Sequence, residues 1–180
     1  MKALRHWFRN NRPQPSALPA GKREAPCPFY KTYQVLSSAS VETLWQTLIN
    51  LADMSSWHPL INSTNVPQGL VAKPGLIYRV IPRWLPIPIR IFVERVAPHE
   101  MMSVRLFPMP GLEERVIYQL RSTMVGTQIS YSITLRGWLS PLAWSVVKPY
   151  AAQVAAAIAK AAEDATGQTL PPKKSSFEAW

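Results

Sequence analysis

Three histidines, one cysteine and a few carboxylates are the side chains of this sequence with the types to do chemistry. His6, His58 and His99 stand far apart in the chain, and none has the spacing of a metal-ligand pair. Cys27 lies between Pro26 and Pro28, with no second cysteine to bridge to and no metal-binding neighbours. Asp53 with His58 is the one arrangement with acid–base character, and joined by Glu114 or Tyr118 it would suit an enolisable substrate. The plainer expectation is that Asp53 caps a short helix and His58 sits in a surface turn. It is favoured because proton transfer needs a partner geometry that this spacing does not display. Glu113-Glu114 likewise reads as a solvated hairpin pair, and the seven glycines form no phosphate-binding loop. No catalytic residue, metal site or cofactor is therefore assigned, and the chain reads as a binding protein sooner than as an enzyme.

The elements that would position these groups follow from apolar periodicity. Tyr30 to Ser37 is rich in aromatic and β-branched residues and is expected as a strand. Ser40 reads as an N-cap, followed by Val41, Leu44, Trp45, Leu48 and Ile49 at the spacing of a core-facing helix. A second helical turn is expected from Leu51 to Trp57, before Pro59. Six strands are then expected at Leu60–Val66, Gly75–Pro82, Ile87–Val96, Met101–Phe107, Leu112–Thr123 and Thr127–Trp138, separated by turn residues. Connections this short fit an antiparallel meander. Ile129, Tyr131, Ile133 and Leu135 alternate with Ser130, Ser132, Thr134 and Arg136, and Val116, Tyr118 and Leu120 repeat the pattern, so one face is covered. Ser140-Pro141 signals the start of a last helix running to about Ala165, with Gly167 beyond its end and Pro149 expected to kink or divide it. Trp144, Val147, Ala151, Val154, Ile158 and Ala161 recur on one face of it.

Charge divides the chain into an arm (1–29), a domain (30–165) and a tail (166–180) expected to be disordered. The net charge is +10, and the arm alone holds six Lys or Arg against Glu24. Five prolines between Arg12 and Phe29 make that stretch an extended linker. Before it, Leu4, Trp7 and Phe8 would lie on one side of a short helix, with Lys2, Arg5, His6 and Arg9 opposite. This is the pattern of an interfacial helix, so residues 1–12 are expected to contact an anionic membrane surface through Leu4, Trp7, Phe8, Arg5 and Arg9. The same arm is compatible with organelle targeting or with a plain solvated tail. Arg90, Arg95, Arg105, Arg115, Arg121 and Arg136 fall on the strands, partly matched by Glu94, Glu100, Glu113 and Glu114. That matching argues for a solvated outer face and against a nucleic-acid surface. No stretch has the roughly 18 to 20 apolar residues of a membrane span, and a cytoplasmic protein, peripheral to a membrane if attached at all, is expected.

Strand, two helices, six-stranded meander and long C-terminal helix is an α+β order that resembles the helix-grip fold of the SRPBCC superfamily. This superfamily includes START lipid-transfer domains, birch-pollen-allergen-like proteins and polyketide cyclases. Ser40-Val41-Glu42-Thr43-Leu44-Trp45, the segment Leu51 to Trp57, Trp57-His58-Pro59-Leu60-Ile61 and Gly75 carry the likeness. The proline-rich arm and the hairpin from Pro82 to Pro88 depart from it. The resemblance implies a curved sheet gripping the last helix around a cavity for a small hydrophobic molecule such as a lipid, quinone or polyketide. It also places Asp53 and His58 near the entrance. Trp57, Tyr78, Tyr118, Tyr131, Val147, Ala151 and Val154 are the expected lining residues, each also suited to plain core packing. Two other functions fit the same chain: a polyketide cyclase or dehydratase-like enzyme, and an interaction module with a filled core and a basic arm. An interior void of about 300 Å³ would favour a ligand.

Overall fold

A computed structural model describes residues 29–169. Strand β1 (Tyr30–Ser37) leads into helix α1 (Val41–Ile49), a 3-10 turn (Leu51–Asp53) and the short helix α2 (Met54–Trp57). Strands β2 (Ile61–Thr64), β3 (Ile77–Pro82), β4 (Ile89–Ala97), β5 (Met101–Met109), β6 (Leu112–Thr123) and β7 (Gly126–Arg136) follow, and helix α3 (Ser140–Thr169) closes the chain. The strands form one antiparallel sheet in the order β1-β7-β6-β5-β4-β3-β2. This is the helix-grip architecture expected from the sequence, with strand boundaries shifted by at most two residues.

Each end of the sheet has its own cause. The meander pairs every strand from β2 to β7 with its neighbour, as short turns require. β1 instead pairs along its whole length with β7, Tyr33 facing Tyr131 and Ser37 facing Thr127. Register shifts between Val93 and Arg95 and between Leu106 and Met109 bend the middle strands, since a bulge adds local twist. Gly75 (φ 83°) belongs to the turn before β3 and does not open that strand, because the left-handed conformation ends extended pairing.

The concave face is filled by α1 and α3. Ser40 caps α1 as expected, its Oγ accepting the Thr43 N–H at 3.1 Å. Leu44, Trp45, Leu48 and Ile49 are buried on that helix. α3 packs its second half through Ala151, Val154, Ala155, Ile158 and Ala162, all fully buried. Their small volumes let the helix approach the sheet closely.

The same helix departs from expectation in three ways. It is continuous through Pro149, which is exposed, so the packed second half holds the helix against the missing hydrogen bond. It also continues through Gly167 to Thr169, a glycine costing only about 1 kcal/mol within a helix. At the start, Ala143 N–H donates to the Leu139 carbonyl at 3.0 Å, so the helix begins one residue early. Ser140 therefore lies inside the first turn, its Oγ buried without a hydrogen-bond partner among the described residues.

Candidate ligand cavity

Parity along β6 decides what faces the helix. Leu112, Glu114, Val116, Tyr118 and Leu120 point inward and are buried, opposite the inward residues of β7. The register sets Glu114 beside Leu135, Val116 beside Ile133 and Tyr118 beside Tyr131. Between these strands, β3–β5 and Val147 of α3 lies an inner cavity of about 80 Å³. Its wall is mostly apolar, and its polar groups are His58, Tyr78, Glu114, Tyr118 and Tyr131. An outer chamber of about 210 Å³ lies against the first turns of α3 and shares Trp84, Pro108, Glu114 and Val147 with the inner one. The inner cavity alone is well below the size of an ordinary ligand site, roughly 300 Å³ upward. Glu114 and Val147 thus stand where the two chambers meet.

The buried polar groups differ in how they are satisfied. His58 Nδ1 accepts the Leu60 N–H at 3.2 Å. That nitrogen is then unprotonated, so the ring proton sits on Nε2, 3.3 Å from Tyr118 Oη. Burial, with a smaller push from Arg83, lowers the imidazole to a pKa of about 3, which keeps it neutral. The Glu114 side chain has no hydrogen bond or ion pair among the described residues, and burial alone pushes its carboxyl up to about 7. Burial also raises Tyr118, with Tyr78 and Glu114 adding to it, and raises Tyr131, with Tyr118, Glu114 and Tyr33 adding. The Tyr118 and Tyr131 rings pack 5.3 Å apart at 57°. Among the described residues, the Tyr78 hydroxyl reaches only the Met54 sulfur, at 3.9 Å.

Of the lining residues expected from sequence, Tyr78, Tyr118, Tyr131 and Val147 stand in the cavity wall. Trp57, Ala151 and Val154 are buried in the surrounding core, Trp57 stacking on His58 at 5.2 Å. Leu4, Arg5, Trp7, Phe8 and Arg9 lie outside the described residues. Asp53 is exposed, makes no side-chain cap and does not reach the cavity, so the pair with His58 is not assembled there. His58 is not in a surface turn but is 6% exposed, because α2 turns it under the sheet.

Glu113-Glu114 is not a solvated pair: Glu113 meets Arg105 at 3.3 Å on the outer face while Glu114 turns inward. The signal for Glu114 was present in its even spacing from Val116, Tyr118 and Leu120. Outside, Glu94 gathers Arg105 and Arg115, the latter through bonds of 2.7 and 3.1 Å. Among the described residues, no three His, Cys, Asp or Glu are grouped to hold a metal, and no helix is long and apolar enough to cross a membrane.

Solved structures with the same arrangement include protein MLL2253 from Mesorhizobium loti (TM-score 0.62, 17% identity, 76% of this chain and 98% of that one). The ZhuI aromatase/cyclase from Streptomyces sp. R1128 matches at TM-score 0.61 and 12% identity, over 76% of this chain and 94% of that one. The chain has the helix-grip fold. Ara h 8.0201 shares it at TM-score 0.60 and 14% identity, over 75% of this chain and 97% of that one. No protein-family model and no curated protein matches the sequence. At these identities the helix-grip likeness speaks for the fold, and the chemistry must be argued from the cavity itself.

Proposed function

We propose that this helix-grip protein binds a small hydrophobic molecule between its sheet and α3, with the polar end of the ligand held at Glu114. The carrying observation is Glu114 itself, a carboxyl only 9% exposed in an apolar wall, with no side-chain partner among the described residues. A buried polar group without a partner costs about 1–3 kcal/mol, and a ligand atom is the simplest means of offsetting it. The inner and outer chambers meet at this side chain, so a ligand spanning both would pass it. The shared fold with an aromatase/cyclase keeps an enzymatic role open as the second reading. Binding is preferred because both ring nitrogens of His58 are already engaged and its low pKa makes it a poor base.

Entry is proposed through the outer chamber, from a membrane surface. Trp84, Leu142 and Val146 line that chamber and are 40%, 66% and 37% exposed. Phe107 and Trp138 extend the apolar rim. Such a rim suits an interface, and the basic residues of the arm would add attraction to anionic lipid.

Titration with the neutral fluorophore N-phenyl-1-naphthylamine tests the cavity. Saturable binding by the full chain, lost in Val147→Trp with the fold intact, is expected; no saturable binding, or equal binding by the variant, would sink the proposal. Flotation with vesicles containing phosphatidylserine tests the surface, and a Leu142→Glu/Val146→Glu variant is expected to float less.

A further inference from the structure

Among the described residues, the walls of both chambers contain no lysine or arginine. Arg83, the cation that acts on His58, lies outside them and donates to the Ser55 carbonyl at 3.2 Å. A ligand ending in a carboxylate or phosphate would therefore bury its charge next to Glu114 with no cation to offset it, a costly arrangement.

The wall is instead well supplied with hydrogen donors. His58 Nε2–H donates to Tyr118 Oη, so the Tyr118 proton must be given elsewhere, and no described residue accepts it. Tyr131 Oη likewise has no partner among the described residues. Protonated Glu114 adds a third O–H. Three donors, all on β6 and β7, thus face a cavity whose remaining wall is chiefly apolar.

We infer that the cavity selects an uncharged ligand bearing a carbonyl-type acceptor oxygen, gripped by Glu114, Tyr118 and Tyr131, and that ionisation of Glu114 releases it. This rests on the binding function proposed above. The groups facing Glu114 around the chamber are His58 after α2, Tyr78 on β3, Tyr118 on β6 and Tyr131 on β7. α3 presents Val147 there, and β5 presents Val104 and Leu106. None of these supplies a positive charge to hold the carboxylate once formed, since His58 stays neutral. With its proton lost around pH 7, Glu114 turns from donor to a bare charge in an apolar wall.

Three probes of one shape separate the possibilities: 2-acetonaphthone (ketone), 2-naphthoate (carboxylate) and 2-(aminomethyl)naphthalene (ammonium), each titrated into the full chain at pH 6 and pH 8.5. The ketone is expected to bind at pH 6 at least ten-fold more tightly than the carboxylate, and to weaken at least five-fold at pH 8.5. Glu114→Gln, which keeps a donor and cannot ionise, is expected to bind the ketone equally at both pH values. Tyr131→Phe, which keeps the ring, is expected to weaken ketone binding at pH 6 and serves if the Gln variant does not fold. Carboxylate or ammonium binding as tightly as the ketone, or an unchanged pH dependence in Glu114→Gln, overturns the inference. So does loss of all three probes while N-phenyl-1-naphthylamine still binds. If that fluorophore also fails, the binding function itself falls.

Discussion

Tyr118 Oη lies 3.3 Å from Nε2 of His58, and the two residues are 60 positions apart in the chain. The bond ties the segment after α2 to the middle of β6, both in the wall of the inner cavity. Both partners are fully buried, and the other nitrogen of the imidazole is held by Leu60 N–H. Tyr118→Phe keeps the ring packed on Tyr131 but leaves the Nε2 proton unpaired. A loss of about 1–3 kcal/mol is expected, read as a lower urea midpoint with an unchanged slope. An unaltered midpoint would show that the hydrogen bond contributes nothing net.

Glu114 and His58 give stability opposite slopes with pH. The folded carboxyl titrates near 7, above its ordinary 4.5, so the folded state binds the extra proton between those values. Stability is therefore lost as pH rises through that window, by an amount on the order of 3 kcal/mol at most. His58 titrates near 3 when folded, below 6.5, so its contribution is present above 6.5 and lost as pH falls toward 3. Glu114→Gln is expected to match the parent chain at pH 4 and to exceed it by about 1–3 kcal/mol at pH 8. Urea midpoints of the two chains at pH 4, 6 and 8 check this; a gap that does not grow with pH contradicts it.

Glu94 is the opposite kind of carboxylate. Its hydrogen bond from Arg115 is the chief cause holding it below its ordinary value, with charge from Arg115 and Arg105 and a bond from Ser103 assisting against a burial cost. It lies on the outer face, half a strand-pleat away from Val93 in the core. Its stabilisation is present above the unfolded value and lost as pH falls through the folded one. Glu94→Gln is expected to cost about 1 kcal/mol at pH 7 and low salt. In 1 M NaCl the cost should shrink, because these charges are partly exposed, and fluorophore binding should not change.

What was legible in the sequence was local or periodic. The alternation of Val116, Tyr118 and Leu120 with their polar neighbours placed β6 correctly, and Ser40 marked α1 because a cap acts within three residues. The inward turn of Glu114 was equally legible from its parity, but charge argued for solvent, and charge is the weaker guide when a strand is paired on both edges. The pairing of β1 with β7 carries no local signal, since it joins segments far apart in the chain, and the sequence grouped His58 with Tyr118 only within the less favoured acid–base set. Asp53 falls outside the site for a geometric reason: the four residues of α2, Met54–Trp57, separate it from His58, enough to send one side chain out and the other in. Pro149 does not divide the helix, because local propensity is outweighed by burial of Ala151, Val154 and Ile158 in the following turns.

Pro149 separates two differently placed halves of the continuous helix α3. Before it, Leu142 and Val146 are exposed against the outer chamber; after it, Ala151, Val154, Ala155 and Ile158 are fully buried. The half beside the outer chamber is thus joined to the anchored half at the point where one backbone hydrogen bond is missing. Pro149→Ala restores a donor and removes a clash, gains offset in part by the freer unfolded chain. A net rise of about 1 kcal/mol or more in unfolding free energy is expected. If the first turns of α3 must swing aside for entry, the same change stiffens them. Stopped-flow association of N-phenyl-1-naphthylamine should then slow several-fold while the equilibrium affinity changes little. A more stable variant with unaltered association would mean that the ligand passes without movement at this joint, between Trp84 and Leu142 as they stand.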